Sequence, residues 1–570
     1  MGEHGVRTSG GDAVLFMGLN SKGPNPMRRL LAVALAVLLS ACTVPQTTTS
    51  GDAPAGAKPR LVVFLVVDGL PQRQVVDYRD QLAPDGLARL LDRGAWFSDA
   101  HYGHAHTATA PGHAVMLTGA YPYRTGIIGN EWRDNATGEM EYCTGDAAHK
   151  YIGHETKKLD GTSPKNLKVE TLGDVLKGLN PTAKVIGISI KDRGAILPAG
   201  HKGVAYMYQG DTGHFASSTY YMKEHPNWVS DFNAANPAHR FFRAEWKPVL
   251  PDSAYAKSQP DSQKWYTKGG ALPKAIGEGD KPAKAFYSQL IASPFSDQLT
   301  LEFARAAIAA EGLGQDDVPD ILVVSLSGHD YVNHAYGAES RISHDHVLHI
   351  DRAFQEFFRH LDDKVGRDNY IAVLTSDHGF TPATGYSQMM GIGAGRMSGS
   401  QTVAKLNKAL EARFGTGPFI RYISARALVV DRSVTAARGV AFDAVAEEAR
   451  KLLLAEPAIA AAYTRAELES RSAAGKPLFE QMRRTWYGER SGDVEFAFKP
   501  NWILTTSSAA THGSPNPDDT HVPVMFYGPA WVKPGRRDAR VEVVDIAPTL
   551  AQVLGVPAPP ASEGKALPLR

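Results

Sequence analysis

The sequence predicts an α/β fold with a mostly parallel central sheet flanked by helices. Three observations carry this. From Arg60 the chain reads LVVFLVVDGL, and the form recurs at VIGISIKDRG (185–194), DILVVSLSGHD (320–330) and YIAVLTSDHG (370–379); runs apolar on both faces are strands covered on both sides, as parallel sheets require. Helical patterns at 298–312 and 340–362 fall between these runs, as βαβ units demand. Each apolar run also ends in charged or histidine residues, and an open α/β sheet gathers such ends along one edge.

Taken in order, residues 1–26 carry no interpretable pattern. Residues 27–42, MRRLLAVALAVLLSAC, hold two arginines, an apolar run and a small-residue end, which is an export signal with Met27 as a candidate start. Leu39-Ser40-Ala41-Cys42 has the form of a bacterial lipoprotein box. Two readings stand: Cys42 as a lipid-bearing mature terminus anchored in the outer membrane, or an incidental cysteine beside a cleaved signal. A polar tether follows over 43–59. No later stretch approaches the roughly 20 apolar residues of a membrane span.

The α/β pattern then runs over 60–565. It is interrupted at about 200–290 by a lid-like insertion rich in Trp, Tyr, Pro and Gly, and at about 385–500 by a small α+β subdomain. The latter shows a helix at 401–413, a strand-like YISARALVV and a helix at 440–454. In the helix at 340–362, Val347, Ile350, Phe354, Phe357, Phe358 and Leu361 form the apolar stripe, which puts its acids and histidines on the wetter face. The chain closes on VVDIAPTLAQVLG, a helix begun near Asp545 and Pro548 and stopped by glycine.

With 61 Lys+Arg against 60 Asp+Glu over 570 residues, there is no charge excess for nucleic acid and no compositional disorder. Only Cys42 and Cys143 are present, so any metal must be held by His, Asp and Glu. Taken singly, the candidates are weak. Asp68 after a strand reads equally as a helix cap. Asp330 and His334 share one helix face, as salt-linked surface pairs also do. Asp377-His378 closing an apolar strand is costly unless something binds it, and His512-Gly513 lies in a loop. Together they make three carboxylates and three imidazoles at strand ends, which is ligand chemistry for two zinc-like ions. Two divalent cations on three aspartates leave about one net positive charge, which attracts an anion.

Thr109-Ala110-Pro111-Gly112-His113 places a hydroxyl just before a helix whose first turn is marked by Pro111 and whose free N–H groups favour phosphate. Thr109 is the nucleophile candidate, or else a plain N-cap. His101, His104, His106 and His113 read as packing or hydrogen-bonding residues. Lys191 and Arg193 alternate on an extended segment and face the same way; alone they are two surface cations.

LVVFLVVDGL, TATAPGHAVMLTGAYPYRTGIIGN, SGHDYVNHAYG, TSDHGF, THGSPNPDDTHVPVMFYG and DIAPTLAQVLG, in that order, resemble the alkaline phosphatase superfamily. The likeness is closest to the threonine-nucleophile alkaline phosphatases of the PafA type, near relatives of nucleotide pyrophosphatase/phosphodiesterases. The resemblance implies one zinc on Asp330, His334 and His512, and a second on Asp68, Asp377 and His378. It further implies Thr109 bridging toward the second ion, Asn130 on a phosphate oxygen, and Lys191 and Arg193 aimed at phosphoryl oxygens, a pair that diesterases lack. Asn333 departs from the glycine many relatives carry, altering the loop and not the ligand set. The implied activity is a zinc-dependent alkaline phosphatase acting on small phosphate monoesters through a phosphothreonine intermediate. It would scavenge phosphate in the periplasm or cell envelope, as a monomer with no nucleic-acid function. A phosphodiesterase or nucleotide pyrophosphatase using the same metals is the alternative.

Overall fold

The computed structural model describes residues 57–505 and 507–570. The export signal, Cys42 and the tether up to position 56 lie outside the described residues. The central sheet is built from β1 (Leu61–Val67), β2 (Ala95–His101), β3 (Val185–Ser189), β4 (Val204–Gln209), β5 (His214–Ala216), β6 (Asp320–Leu326), β7 (Tyr370–Thr375), β8 (Val524–Tyr527) and β9 (Gly535–Glu542). Its order is β9-β2-β8-β7-β1-β6-β3-β4-β5. The five strands β7, β1, β6, β3 and β4 run parallel in a block. β8 is antiparallel to β7 and to β2, and β5 to β4. The sheet is thus mostly parallel.

All seven residues of β1 are buried. Leu61, Val63, Leu65 and Val67 join one apolar cluster, and Val62, Phe64 and Val66 another. The two-residue period of a strand sends alternate side chains to two covered faces, which is why the run reads as continuously apolar. Helices α1 (Thr109–Thr118), α2 (Asp192–Ala199), α3 (Pro294–Glu311), α4 (Gly328–Tyr336), α5 (Arg341–Lys364) and α6 (Ile546–Leu554) pack around this sheet. α6 starts behind Asp545 and stops at Gly555, whose φ of +61° ends it in the left-handed conformation. Among the described residues no helix is long and apolar enough to cross a membrane.

Three expectations need correction. The polar side of α5 is wet only in part: Glu356 and Asp363 are exposed, but His344, Asp345, His346 and Asp351 are all fully buried. Asp345 accepts hydrogen bonds from Trp246 Nε1 (2.6 Å) and the Val249 amide (2.8 Å) of the insertion. Asp351 accepts from the amides of Ala83 and Leu87, both at 2.7 Å. Donors contributed by other segments let these groups be buried without an unpaired cost. The insertion also begins later than about 200, because β4 and β5 belong to the central sheet, with β5 at its edge. Its remainder covers α5 and reaches the end of α4, where the Thr267 amide donates to Ala335 O at 3.0 Å.

The third correction concerns YISARALVV, which is a hairpin of Ile420–Ser424 and Ala427–Val430 and not one strand. Its turn residues Ala425 and Arg426 have φ of +41° and +71°. No Asn-Gly or Asp-Gly pair announces that turn, so the sequence carried no sign of it. With Val494–Phe498 and Ile459–Thr464 the hairpin makes a four-stranded sheet. Helices Gly399–Phe414 and Phe442–Leu454 close a separate apolar core over it.

Candidate metal and phosphoryl site

Three neighbouring strands deliver the acidic side chains to one edge. Asp68 directly follows β1, β6 leads through Ser327 into α4 with Asp330 and His334, and β7 ends two residues before Asp377-His378. Gly69 turns the chain at φ +71°, and a side chain there would crowd Phe380 and the Asp330 backbone. The loop after the subdomain adds His512. The donor atoms of Asp330, His334 and His512 all lie within 4.8 Å of one another, and those of Asp68, Asp377 and His378 do the same. His378 and His512 stack at 3.4 Å and 11°, joining the two groups.

The residues fit a pair of metal ions on several counts. His334 Nδ1 faces Ala510 O (3.0 Å), His378 Nδ1 faces Gly379 O (2.9 Å) and His512 Nδ1 faces Thr107 O (2.8 Å). A carbonyl can only accept, so each Nδ1 carries the proton and each Nε2 turns a lone pair inward. Asp68 Oδ1, Asp330 Oδ1, Asp377 Oδ2 and His378 Nε2 are buried without a hydrogen-bond partner, a costly state for polar atoms unless a cation engages them. Burial, and then the neighbouring Asp377 carboxylate, push the Asp68 carboxyl well above its ordinary range. Burial pushes His378 and His512 down, keeping both imidazoles neutral as a ligand must be.

Thr109 opens α1 behind Ala108 and caps nothing, which removes the N-cap reading. Its hydroxyl makes no hydrogen bond to any described residue. The first turn of α1 lies hard on the metal-site backbone: a Cβ on Gly112 would stand 2.1 Å from Asp377 O. His113 extends this contact, with Nδ1 2.9 Å from Thr109 O and 3.4 Å from Asp377 Oδ2. Asn130 Oδ1 accepts from the Ala110 amide at 2.8 Å, leaving the Asn130 NH2 group free of described partners.

Lys191 and Arg193 are not on an extended segment as the sequence suggested. β3 ends at Ser189 and α2 begins at Asp192, so Lys191 is the residue before the helix and Arg193 lies in its first turn. Lys191 still faces the donor groups. Lys191 Nζ is 2.8 Å from Asp68 Oδ2 and 2.6 Å from Asp330 Oδ2, bridging the two donor groups. It also lies over the Tyr331 ring at 5.0 Å. Arg193 Nη1 donates to Tyr142 OH at 3.0 Å.

A third donor group, Asp99, His101 and His521, escaped the sequence reading because nothing links His521 to β2 before folding. It differs from the other two in being closed by its own bonds. His101 meets Thr520 Oγ1 and Asp99 Oδ1, each at 2.9 Å, and His521 Nε2 donates to Ser98 O at 2.9 Å. The sequence also missed the reach of Asn333. Its amide donates to Gly69 O (2.9 Å) and accepts from Ser343 Oγ (2.6 Å), tying the Asp68 turn to α4 and α5.

The family described as type I phosphodiesterase / nucleotide pyrophosphatase matches residues 62–521. The chain belongs to that family, within the alkaline phosphatase superfamily. The family match spans both donor groups, Thr109, Asn130, Lys191 and Arg193. Among curated relatives of this phosphodiesterase-family chain, alkaline phosphatase PafA of Elizabethkingia meningoseptica is 33% identical over 516 residues, covering 89% of this chain and 94% of the relative. Alkaline phosphatase PhoV of Synechococcus elongatus is 32% identical over 554 residues, covering 95% and 98%. A crystal structure of wild-type PafA superposes with a TM-score of 0.83 at 32% identity, over 91% of this chain and 99% of that one.

Proposed function

We propose that the chain is a zinc-dependent alkaline phosphatase that hydrolyses small phosphate monoesters through a phosphothreonine at Thr109. Its alkaline phosphatase relatives, similar over most of their length, support a phosphomonoesterase. The observation that carries the reading is the buried Lys191 ammonium set between the carboxylates of two metal-donor groups. One zinc would be held by Asp330, His334 and His512, the other by Asp68, Asp377 and His378. When bound, the ions supply Lewis-acid stabilisation of the attacking and leaving oxygens.

The residues of the chain do the rest. The Thr109 hydroxyl, free of other bonds, gives up its proton to solvent and attacks phosphorus as the ester P–O bond breaks. The departing alcohol takes a proton from water, and a second water cleaves the phosphothreonine to inorganic phosphate. With Asp68 and Asp330 engaged by cations, Lys191 is free to turn its ammonium to a phosphoryl oxygen. Arg193 and the Asn130 NH2 group donate to the other equatorial oxygens, and the free amides at the start of α1 add positive potential.

The family's own description favours a second reading, a phosphodiesterase or nucleotide pyrophosphatase at the same site. Steady-state kinetics with an aryl phosphate monoester and its methyl diester, on chelator-stripped protein reloaded with zinc, separates the two. A monoester kcat/KM at least about a thousandfold above the diester value supports the first reading. A diester preference would replace it with the second. The export signal read in the sequence at 27–42 supports a place in the periplasm or cell envelope, and the lipoprotein-box form of Leu39-Ser40-Ala41-Cys42 supports a lipid anchor at Cys42.

A further inference from the structure

We propose that Tyr142 is a positioning residue that aims Arg193 at the phosphoryl group and so sharpens the preference for monoesters; this rests on the role given to Arg193 above. Arg193 is unusual among the cations of the site. Its Nε is buried without a partner, and among the described residues no carboxylate pairs with its guanidinium. The hydrogen bond that holds it runs from Nη1 to Tyr142 OH at 3.0 Å.

The phenol is itself fixed. It donates to Asp192 Oδ1 at 2.7 Å, so its hydrogen is committed and its lone pair faces Arg193. Asp192 is locked in turn: Oδ2 accepts from the Gly161 amide at 3.0 Å, and Thr144 Oγ1 reaches Oδ1 at 3.3 Å. The chain of contacts Asp192–Tyr142–Arg193 therefore orients the guanidinium through a neutral group. A carboxylate in the place of the phenol would orient it equally well but neutralise it, cancelling the charge that distinguishes a monoester dianion from a diester monoanion. Orientation without neutralisation is what this site requires, and a tyrosine hydroxyl backed by an aspartate supplies it.

The same residue is coupled to Asn130. Strands Glu131–Arg133 and Met140–Tyr142 form an antiparallel hairpin in which Glu131 pairs with Tyr142. The Cys143 amide closes its base on Asn130 O at 3.0 Å. One hairpin base thus carries two phosphoryl-facing donors, the Asn130 amide directly and the Arg193 guanidinium through Tyr142.

The test compares wild type, Tyr142→Phe, Arg193→Ala and the double variant, all zinc-loaded, with kcat/KM for an aryl monoester and its methyl diester. Tyr142→Phe keeps the ring and removes one hydrogen-bonding hydroxyl. It is expected to lower monoester kcat/KM about tenfold, to move the diester less than about twofold, and to have no further effect once Arg193 is alanine. Asp192→Asn, which retains the tyrosine, should give a smaller loss with the same monoester bias; it serves as the second variant should Tyr142→Phe fold poorly. Equal losses on both substrates, an undiminished loss in the Arg193→Ala background, or no loss on monoesters would overturn the proposal. Should Arg193→Ala itself leave monoester turnover intact, the role given to Arg193 falls first and takes this inference with it. A defective Arg193→Ala beside an unaffected Tyr142→Phe removes the positioning role alone.

Discussion

Replacing Lys191 by alanine probes the electrostatic logic of the site on two fronts. A monoester carries about one more negative charge than a diester, and a cation about 4 Å from it is worth up to about 4 kcal/mol at an effective dielectric near 20, or about three decades in rate. Monoester kcat/KM should therefore fall by two to three decades, about 10²–10³-fold, while the diester loses at most about tenfold. The second front is metal affinity. Without metal, Lys191 Nζ stands 2.8 and 2.6 Å from Asp68 and Asp330 and competes with any cation for the same carboxylates. Its removal should leave zinc binding intact or tighter, and should lower the melting temperature of chelated protein, where those buried carboxylates lose their counter-charge. Paired kinetics in zinc-buffered solution, elemental analysis of the same samples and thermal melts with and without chelator read all three. Equal losses on both esters, or zinc lost from the variant, would refute the reasoning.

Away from the site, Arg89 is 2% exposed and pairs with Asp362 at 2.8 Å, while Tyr370 OH donates to the same carboxylate at 2.7 Å. Asp362→Asn should cost about 3–5 kcal/mol in urea unfolding and leave turnover per folded molecule unchanged. Burial raises the Asp362 pKa, but hydrogen bonds from Arg89, Tyr370 and Arg367 outweigh it and hold the carboxyl below its usual range. The folded state thus binds this proton less readily than the unfolded one. The contribution is fully present above the ordinary value of about 3.9 and is lost as pH falls through the depressed value, so the gap between wild type and variant should be unchanged from pH 7 to about 5 and close only below about pH 4. A gap that closes near neutrality would contradict it. Exhaustive chelation should lower the melting temperature and zinc should restore it, with about 4 kcal/mol of stabilisation at a thousandfold excess over Kd; calorimetry showing no shift would contradict a metal site. Asn333→Ala severs the link between the Asp68 turn and α4 and should weaken zinc about tenfold to a hundredfold in chelator competition, whereas unchanged affinity would show that the link is not used.

The sheet was legible because strands buried on both faces have no polar alternation to blur them, and because acids follow β1, β6 and β7 within a few residues, where the parallel arrangement must bring them together. Asp68, Asp330 and Asp377 could be found for that reason alone, and His334 and His378 follow from their spacing to two of them. Other features depended on tertiary packing that leaves no local mark. The burial of Asp345 and Asp351 on α5 is set by donors about 90 to 270 positions away. Tyr142 reads as an ordinary strand residue until Arg193, 51 positions later, is seen against its hydroxyl. The start of α2 has little local mark because Lys191, which cannot cap with its side chain, holds the capping position, while the acid that could announce a helix, Asp192, already lies in the first turn.

The proposed transfer of a phosphoryl group to Thr109 in a two-metal pocket is tested by the turnover of zinc-replete Thr109→Ala, with metal counted in the same sample. The variant should hold two zinc ions per chain and hydrolyse aryl phosphate at least about a thousandfold more slowly than wild type. Phosphate release near the wild-type rate from a variant with its metals in place would contradict it.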